Sequence, residues 1–536
     1  LPEYRLSELQ AAGKSFQKIE LAEAHYLAET GLPELPLFNT YIAIPAQGGI
    51  SLEVQNSQMS VLSGINPYPV QDASLPETAR SFSYSEGFYR GQGQYPANFV
   101  SHSAPMLLRE LRIVNISISP FVYDAATGEL CVRQKIELRV NYTNDASSNE
   151  LPAEPQFLSA AFAKTYESFI LNFEDYRHLL LANTPPRYLI IHGNTTDNTF
   201  LNALNAYVLW KRQKGADVDI ATTATNSAGS STSSIQTYIR NRYNNSATRP
   251  DFVILIGDTS GSFIIPCFQN NYGDTDYPYS FMNTGDILGD LFIGRISVEN
   301  SSQFLVMLNK IFLYEKDINI DTASWLNHHL LVANYYYSGI STIYISKYIK
   351  EMALEINPEA TFTELYTPNF NENVSSVNNA LNQGIGFYSF RGYIDFSPPS
   401  DGSISNSYKL PHAVLTTCGT GNYSGTSETE TITRMGTTAA PKGSVTAIGM
   451  ATSSTHTTFN NVLHGGFFEG VFVRGMRTMG EGLLHGKLYM NEIFGVSSPT
   501  NVEKFTHWCN LIGDPTMEVF VKVPDSFQIA TIPISL

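Results

Sequence analysis

Apolar and polar positions alternate with period two through the first 150 residues and give way, from Arg187 onward, to short apolar runs separated by helical spacing. Thr40 to Pro45 (TYIAIP), Ile50 to Val54 (ISLEV), Leu111 to Ser119 (LRIVNISIS) and Ile136 to Tyr142 (IELRVNY) each put apolar side chains on one face, with Gly, Pro and Asn between the runs. That is the signature of half-buried strands. Tyr123 to Leu130 (YDAATGEL) reads as a hairpin with Thr-Gly at its turn. Residues 1–150 are therefore expected to form an all-β unit, and they hold no cluster of His, Cys or carboxylates that would give it chemistry. A polar linker follows at Asn144 to Pro155, and two short helices are expected across Phe157 to Leu181, within a connecting segment 151–186 that ends at Pro185 and Pro186.

Beyond Arg187 the runs YLII (188–191), FVILI (252–256), LLVA (330–333), Gly386 to Phe390, Ala413 to Leu415 and Val445 to Met450 lack polar alternation. Between them, Thr199 to Lys214, Ile235 to Tyr243, Ser301 to Glu315 and Ile340 to Ile356 carry apolar residues at helical spacing. Strands buried on both faces and alternating with helices predict an α/β unit over 187–536: a doubly wound, mostly parallel sheet of six or more strands, in two subdomains at about 187–320 and 321–522.

In such a sheet the reactive crevice lies outside the carboxyl ends of the strands. Two small-residue loops fall there, TTCGTG after Leu415 and ATSSTHTTF after Met450, and they bring Cys418 and His456 to one edge. The thiol sits among Thr and Gly residues whose backbone N–H groups, Gly419 first, suit an oxyanion. Two readings stand for Cys418, a nucleophile or an inert strand-end thiol, and two for His456, a proton shuttle or a loop histidine bonded to backbone. His412 precedes its strand and belongs at the opposite end, whereas His464 and His485 fall on helices and read as structural. Glu428 and Glu430 fit either the base of a substrate pocket or the acidic first turn of a helix.

Composition narrows the field. At 536 residues and 43% hydrophobic, the chain exceeds one core. A charged fraction of only 15% suits an extracellular surface, and a net charge of -16 excludes nucleic acid as partner. The four cysteines have neither zinc spacing nor the density of a disulfide framework, and no apolar run reaches the length of a membrane helix. Beginning at Leu1 and ending in TIPISL, the chain is expected to be a trimmed product from which further domains have been removed. Asp274, Asp276, Asp286 and Asp290 crowd a Gly- and Tyr-rich loop that reads either as solvated or as a Ca²⁺ site.

The blocks RYLII (187–191), VILIGD (253–258), TDYPYSFMNTGDILGDLFIGRISVE (275–299), LPHAVLTTCGTGNY (410–423), KGSVTAIG (442–449) and IGDPTMEVF (512–520) occur in the order of the gingipain-type cysteine peptidases, family C25, which the chain resembles over roughly 187–522. The β unit resembles that family's propeptide domain through TYIAIP and LRIVNISISPFVYDAATGEL. The resemblance implies a caspase-like α/β fold, structural calcium, secretion or cell-surface display by a bacterium, and a downstream immunoglobulin-like domain with a secretion tail through which the protein attaches to the surface. It further implies a secreted cysteine endopeptidase, a hydrolase acting on protein or peptide substrates, seen here as a zymogen with its own N-terminal domain as partner. In one place the chain departs from the family: Arg391-Gly392 in FYSFRGYIDF stands where His-Gly is expected. An arginine stays protonated near neutral pH and cannot shuttle protons. The expected set is then Cys418 as thiolate beside Arg391, His456 as shuttle, Gly419 as oxyanion donor, and Glu299, at the family's dyad-orienting carboxylate, paired with Arg391. The alternative is a catalytically inactive relative serving as a surface, adhesive or assembly protein.

Overall fold

The computed structural model describes residues 3–22, 24–71, 81–91, 93–181, 184–270, 273–283, 285–368, 373–393, 396–453 and 455–525. The expected N-terminal strands overlap Pro36–Ala43, Gly49–Ser63, Leu111–Ile118 and Glu129–Thr143, the first and third ending before the expected Pro45 and Ser119. The expected hairpin closes with Asp124 opposite Glu129. A further hairpin, Tyr4–Ala11 with Lys14–Leu21, has no counterpart among the expected elements. Its strands keep polar residues on both faces, so period two is weak there, and the turn rests on positive φ at Ala12 and Gly13. The linker forms one short helix, Ala163–Phe169, flanked by 3₁₀ turns.

The C-terminal unit is built on ten strands: β1 (Arg187–His192), β2 (Asp217–Thr222), β3 (Phe252–Ile256), β4 (Phe292–Ile296), β5 (His328–Asn334), β6 (Thr361–Thr367), β7 (Phe387–Arg391), β8 (His412–Leu415), β9 (Thr446–Met450) and β10 (Cys509–Ile512). Three helices matter for the site: α1 (Thr457–Phe472), α2 (Met479–Phe494) and α3 (Pro499–Trp508). The sheet order is β2-β1-β3-β4-β10-β9-β8-β7-β5-β6. Every neighbouring pair is parallel except β9 with β10.

That one antiparallel strand has a large consequence. Since β10 runs parallel to β4 and antiparallel to β9, the four-strand half β2-β1-β3-β4 and the five-strand half β9-β8-β7-β5-β6 point in opposite directions. The carboxyl ends of one half therefore share an edge with the amino ends of the other. Helix α1 is held close over the five-strand half because α2 presents glycine to it: a Cβ on Gly486 would meet the Leu463 carbonyl oxygen at 2.8 Å.

The N-terminal unit docks on the edge where β3 and β4 begin. Tyr41, Leu108, Ile113, Phe162 and Tyr166 form one continuous core with Phe252, Phe292, Leu484 and Leu488. Arg109 fastens this contact. Its guanidinium, 4% exposed as a residue, donates to the carbonyls of Pro250 (3.0 Å) and Asp290 (2.8 Å), to Asp251 Oδ1 (2.8 Å) and to Glu110 Oε1 (2.8 Å). Its backbone N–H reaches Asp290 Oδ1 at 2.8 Å. Glu110 and Asp251 hold the guanidinium far above its ordinary value, more than offsetting burial. Removing one member of a buried ion network strands the others without compensation. Arg109→Ala is thus expected to cost about 3–5 kcal/mol in urea unfolding at neutral pH; a loss below about 1 kcal/mol, the range of an exposed pair, would contradict this docking.

Candidate active site

Cys418 lies three residues beyond β8, at the carboxyl edge of the five-strand half. The chain turns tightly there. The Thr420 hydroxyl bonds the carbonyls of Leu415 (2.6 Å) and Thr417 (2.9 Å), and Gly419 adopts φ +74°, the left-handed region that a side chain disfavours. The thiol is nearly buried, 8% exposed as a residue, and shares a hydrogen bond with the Thr455 hydroxyl at 3.1 Å.

Arg391 closes the adjacent strand β7 and is wholly buried. Its Nε donates to Asn461 Oδ1 (2.8 Å), Nη1 to the Thr416 carbonyl and Nη2 to the Thr457 carbonyl (3.5 Å). Among the described residues no carboxylate makes an ion pair with it. Burial pushes the guanidinium down to about 9, and the Cys418 thiol is the group that pulls it back up. Beneath it, on α1, His464 takes a hydroxyl on each ring nitrogen, Ser389 at Nε2 and Thr416 at Nδ1, both at 2.7 Å. Burial first, and then Arg391, hold this imidazole neutral, well below its ordinary value.

His456 is the N-cap residue of α1, one position after Thr455, so its loop does face the thiol. The ring packs against Phe459 and Phe505 and borders a cavity of about 680 Å³ whose far wall is His25, Tyr26, Leu27 and Tyr68 of the N-terminal unit. His412 opens β8 at the opposite end and bonds Thr446 Oγ1 and the Glu518 carbonyl.

Other expected placements change. The Gly419 N–H is committed to the Thr452 carbonyl at 2.8 Å, so in this arrangement it is no oxyanion donor. The N–H of Cys418 itself has no acceptor among the described residues. Glu299 does not reach Arg391. It follows β4, four strands from β7 (roughly 19 Å at the usual strand spacing) and on the opposite edge, because the two halves of the sheet run in opposite senses. There it bonds Ser260 Oγ (3.3 Å) and Gln303 Nε2 (3.2 Å), and lies 3.9 Å from Arg434.

The four loop aspartates do not gather round one ion. Asp276 is engaged by Arg295 through both oxygens (2.6 and 2.7 Å), and Asp274 accepts from the Tyr423 N–H and the Ser424 hydroxyl. Asp286 and Asp290 hold backbone N–H groups of Leu107 and Arg109 instead. Among the described residues no group of three His, Cys, Asp or Glu side chains is placed to hold a metal. Glu430 serves a capping box with Ser427 and an ion pair with Arg434, and Asp258 pairs with the same arginine at 2.7 Å; both are structural. Sequence reading missed Thr455, Thr416, Asn461 and Ser389, whose roles depend on which loops and strands adjoin. It placed His464 on a helix without its link to the nucleophile turn.

The chain matches the family model described as Peptidase family C25 over residues 181–520 and the C25 propeptide model over residues 3–180. It is 26% identical over 382 residues to Lys-gingipain W83 of Porphyromonas gingivalis, covering 68% of this chain and 21% of that protein. To gingipain R1 of the same organism it is 22% identical over 332 residues, covering 62% of this chain and 33% of that protein. The chain thus spans about a fifth to a third of these relatives' length. Among solved structures, the Arg-specific cysteine proteinase gingipain R superposes with TM-score 0.55 at 19% identity, covering 64% of this chain and 79% of that one. The complex of the pro- and mature domains of RgpB from P. gingivalis gives TM-score 0.55 at 19% identity, covering 63% and 81%. At these identities the likeness establishes the fold.

Burial keeps four histidines neutral in the folded chain: His329 and His412 down to about 3, His507 down to about 4, and His464 well below the ordinary range. Their folded values lie beneath the unfolded value, so the stability they confer is complete above about pH 6.5 and falls as the unfolded chain alone takes up protons. Each contributes up to about 1.4 kcal/mol per pH unit. Buried Asp290, Glu481 and Glu492, raised to about 8, 7 and 8, pull the other way in this window, so the test is a difference. His329→Phe is expected to make the change in stability from about pH 6 to about pH 4 less unfavourable than in the wild-type chain by up to about 1.4 kcal/mol per unit, and an unchanged slope would contradict the neutral assignment.

Proposed function

We propose, from the premise that the chain belongs to peptidase family C25 with that family's propeptide region preceding the peptidase region, that it is a gingipain-like cysteine peptidase whose nucleophile is Cys418. The observation that carries this reading is the buried guanidinium of Arg391: its hydrogen bonds run to neutral oxygens, and the thiol next door is the group that favours its charge. Reactive cysteines sit in electropositive surroundings of this kind.

The thiolate adds to the scissile carbonyl carbon, forming a C–S bond as the carbonyl electrons move onto oxygen. The Cys418 N–H donates to that oxygen. When the C–N bond breaks, the departing amine needs a proton that arginine does not release near neutral pH. His456, in the loop bonded to the sulfur through Thr455, supplies it as imidazolium and then, as neutral imidazole, takes a proton from the water that cleaves the thioester, so that the sulfur leaves as thiolate and the starting pair is restored.

The substrate is a protein or peptide, and the setting is extracellular, in keeping with the sparse charge of the chain. Among the described residues no helix is long and apolar enough to cross a membrane. The N-terminal unit walls the cavity that His456 borders, which supports a latent form relieved when that unit leaves. An electrophilic thiol probe is expected to label Cys418 and to be abolished by Cys418→Ala. His456→Ala is expected to keep the label while peptide turnover falls about a hundredfold or more. Labelling without turnover in the wild-type chain freed of its N-terminal unit would favour the inactive surface or adhesive protein instead.

A further inference from the structure

The loop after β5 reads Tyr335-Tyr336-Tyr337-Ser338-Gly339-Ile340. Tyr336 is 55% exposed, Tyr337 48% and Tyr393, which follows β7, 38%. The three rings form a stepped surface, Tyr336 edge-on to Tyr337 with centroids 4.7 Å apart and Tyr337 tilted against Tyr393 at 5.1 Å. Exposed aromatic rings grouped in this way are unusual on a surface with no partner.

The surface is rooted in the nucleophile turn. The Gly392 carbonyl accepts from Ser338 Oγ and from Thr417 Oγ1, both at 2.8 Å, and the Thr417 hydroxyl also reaches the Tyr393 carbonyl at 3.1 Å. Thr417 immediately precedes Cys418, so the rings hold a fixed relation to the sulfur. The nearby polar side chains are already engaged: Ser338 with Gly392, Thr342 with the Gly339 carbonyl at 2.9 Å, and Ser341 with Asn461 at 3.1 Å. The loop itself carries no charge. Beyond the three phenol hydroxyls a ligand meets flat rings with their surrounding side chains already engaged, which suits a large apolar or aromatic side chain.

We infer that the ledge of Tyr336, Tyr337 and Tyr393 receives a bulky apolar or aromatic side chain of the peptide substrate close to the scissile bond. The inference rests on the reading of Cys418 as nucleophile. It makes the ledge a determinant of which peptides are cut.

Binding separates the two claims. Fluorescein-labelled hexapeptides, one with Phe-Leu at its centre and one with Ser-Ser there, are titrated into the full-length Cys418→Ala chain. The Phe-Leu peptide is expected to bind about tenfold tighter or more, and the surface double variant Tyr336→Ser/Tyr337→Ser is expected to erase the difference with unchanged thermal unfolding. Equal binding of the two peptides overturns the inference, and so does a preference that survives the double variant. Tighter binding of a soluble cello-oligosaccharide than of either peptide also overturns it, by showing a sugar platform. Probe labelling of the native thiol is measured in parallel. A peptide preference without labelling leaves the ledge standing and removes the nucleophile; labelling without a preference does the reverse.

Discussion

A guanidinium buried in the protein without a carboxylate partner among the described residues is the constraint from which the rest of this site follows. An isolated buried cation is expensive, and burial pushes the Arg391 guanidinium down to about 9. It is tolerated because Asn461, the carbonyls of Thr416 and Thr457 and the sulfur of Cys418 surround it. Those partners come from two elements: α1 through Asn461 and Thr457, the turn after β8 through Thr416 and Cys418. The cation therefore sets where the helix that begins at His456 sits relative to the thiol. His464, neutral and bonded to Thr416 and Ser389, completes the packing without adding a second charge.

The reversed strand β10 decides what faces this crevice. By turning the two halves of the sheet against one another, it puts the starts of β3 and β4, where Arg109 is bound, on the edge where β7, β8 and β9 end. One rigid docking contact can thus hold the N-terminal unit against the cavity that His456 borders. The same reversal carries Glu299 to the far edge, among Arg434, Ser260 and Gln303. The docking edge of the N-terminal unit and the distance of Glu299 from Arg391 thus have one topological origin.

Much of this was legible in the sequence, because buried parallel strands announce themselves as apolar runs. FVILI, LLVA and the strand before TTCGTG fixed the sheet, the crevice edge and the position of Cys418, and FYSFRG placed Arg391 beside it. Short strands with polar exposure were not legible: β6 (TFTELYT) is half-exposed and lies at the edge of the sheet, and β10 (CNLI) is four residues long. Strand direction leaves no trace in composition, so the pairing of Glu299 with Arg391 could not be judged from one dimension. The aspartates show the same limit. Their spacing suggests one site, yet Arg295 and the N-terminal unit draw them apart.

The most direct test of the account is the rate at which iodoacetamide alkylates Cys418 at neutral pH, in a chain whose other three cysteines are replaced by Ser. If the buried cation sustains the reactive thiol, Arg391→Met slows alkylation by about tenfold or more while Arg391→Lys, which keeps the charge, retains most of the rate. Equal rates in the wild-type chain and Arg391→Met would contradict it.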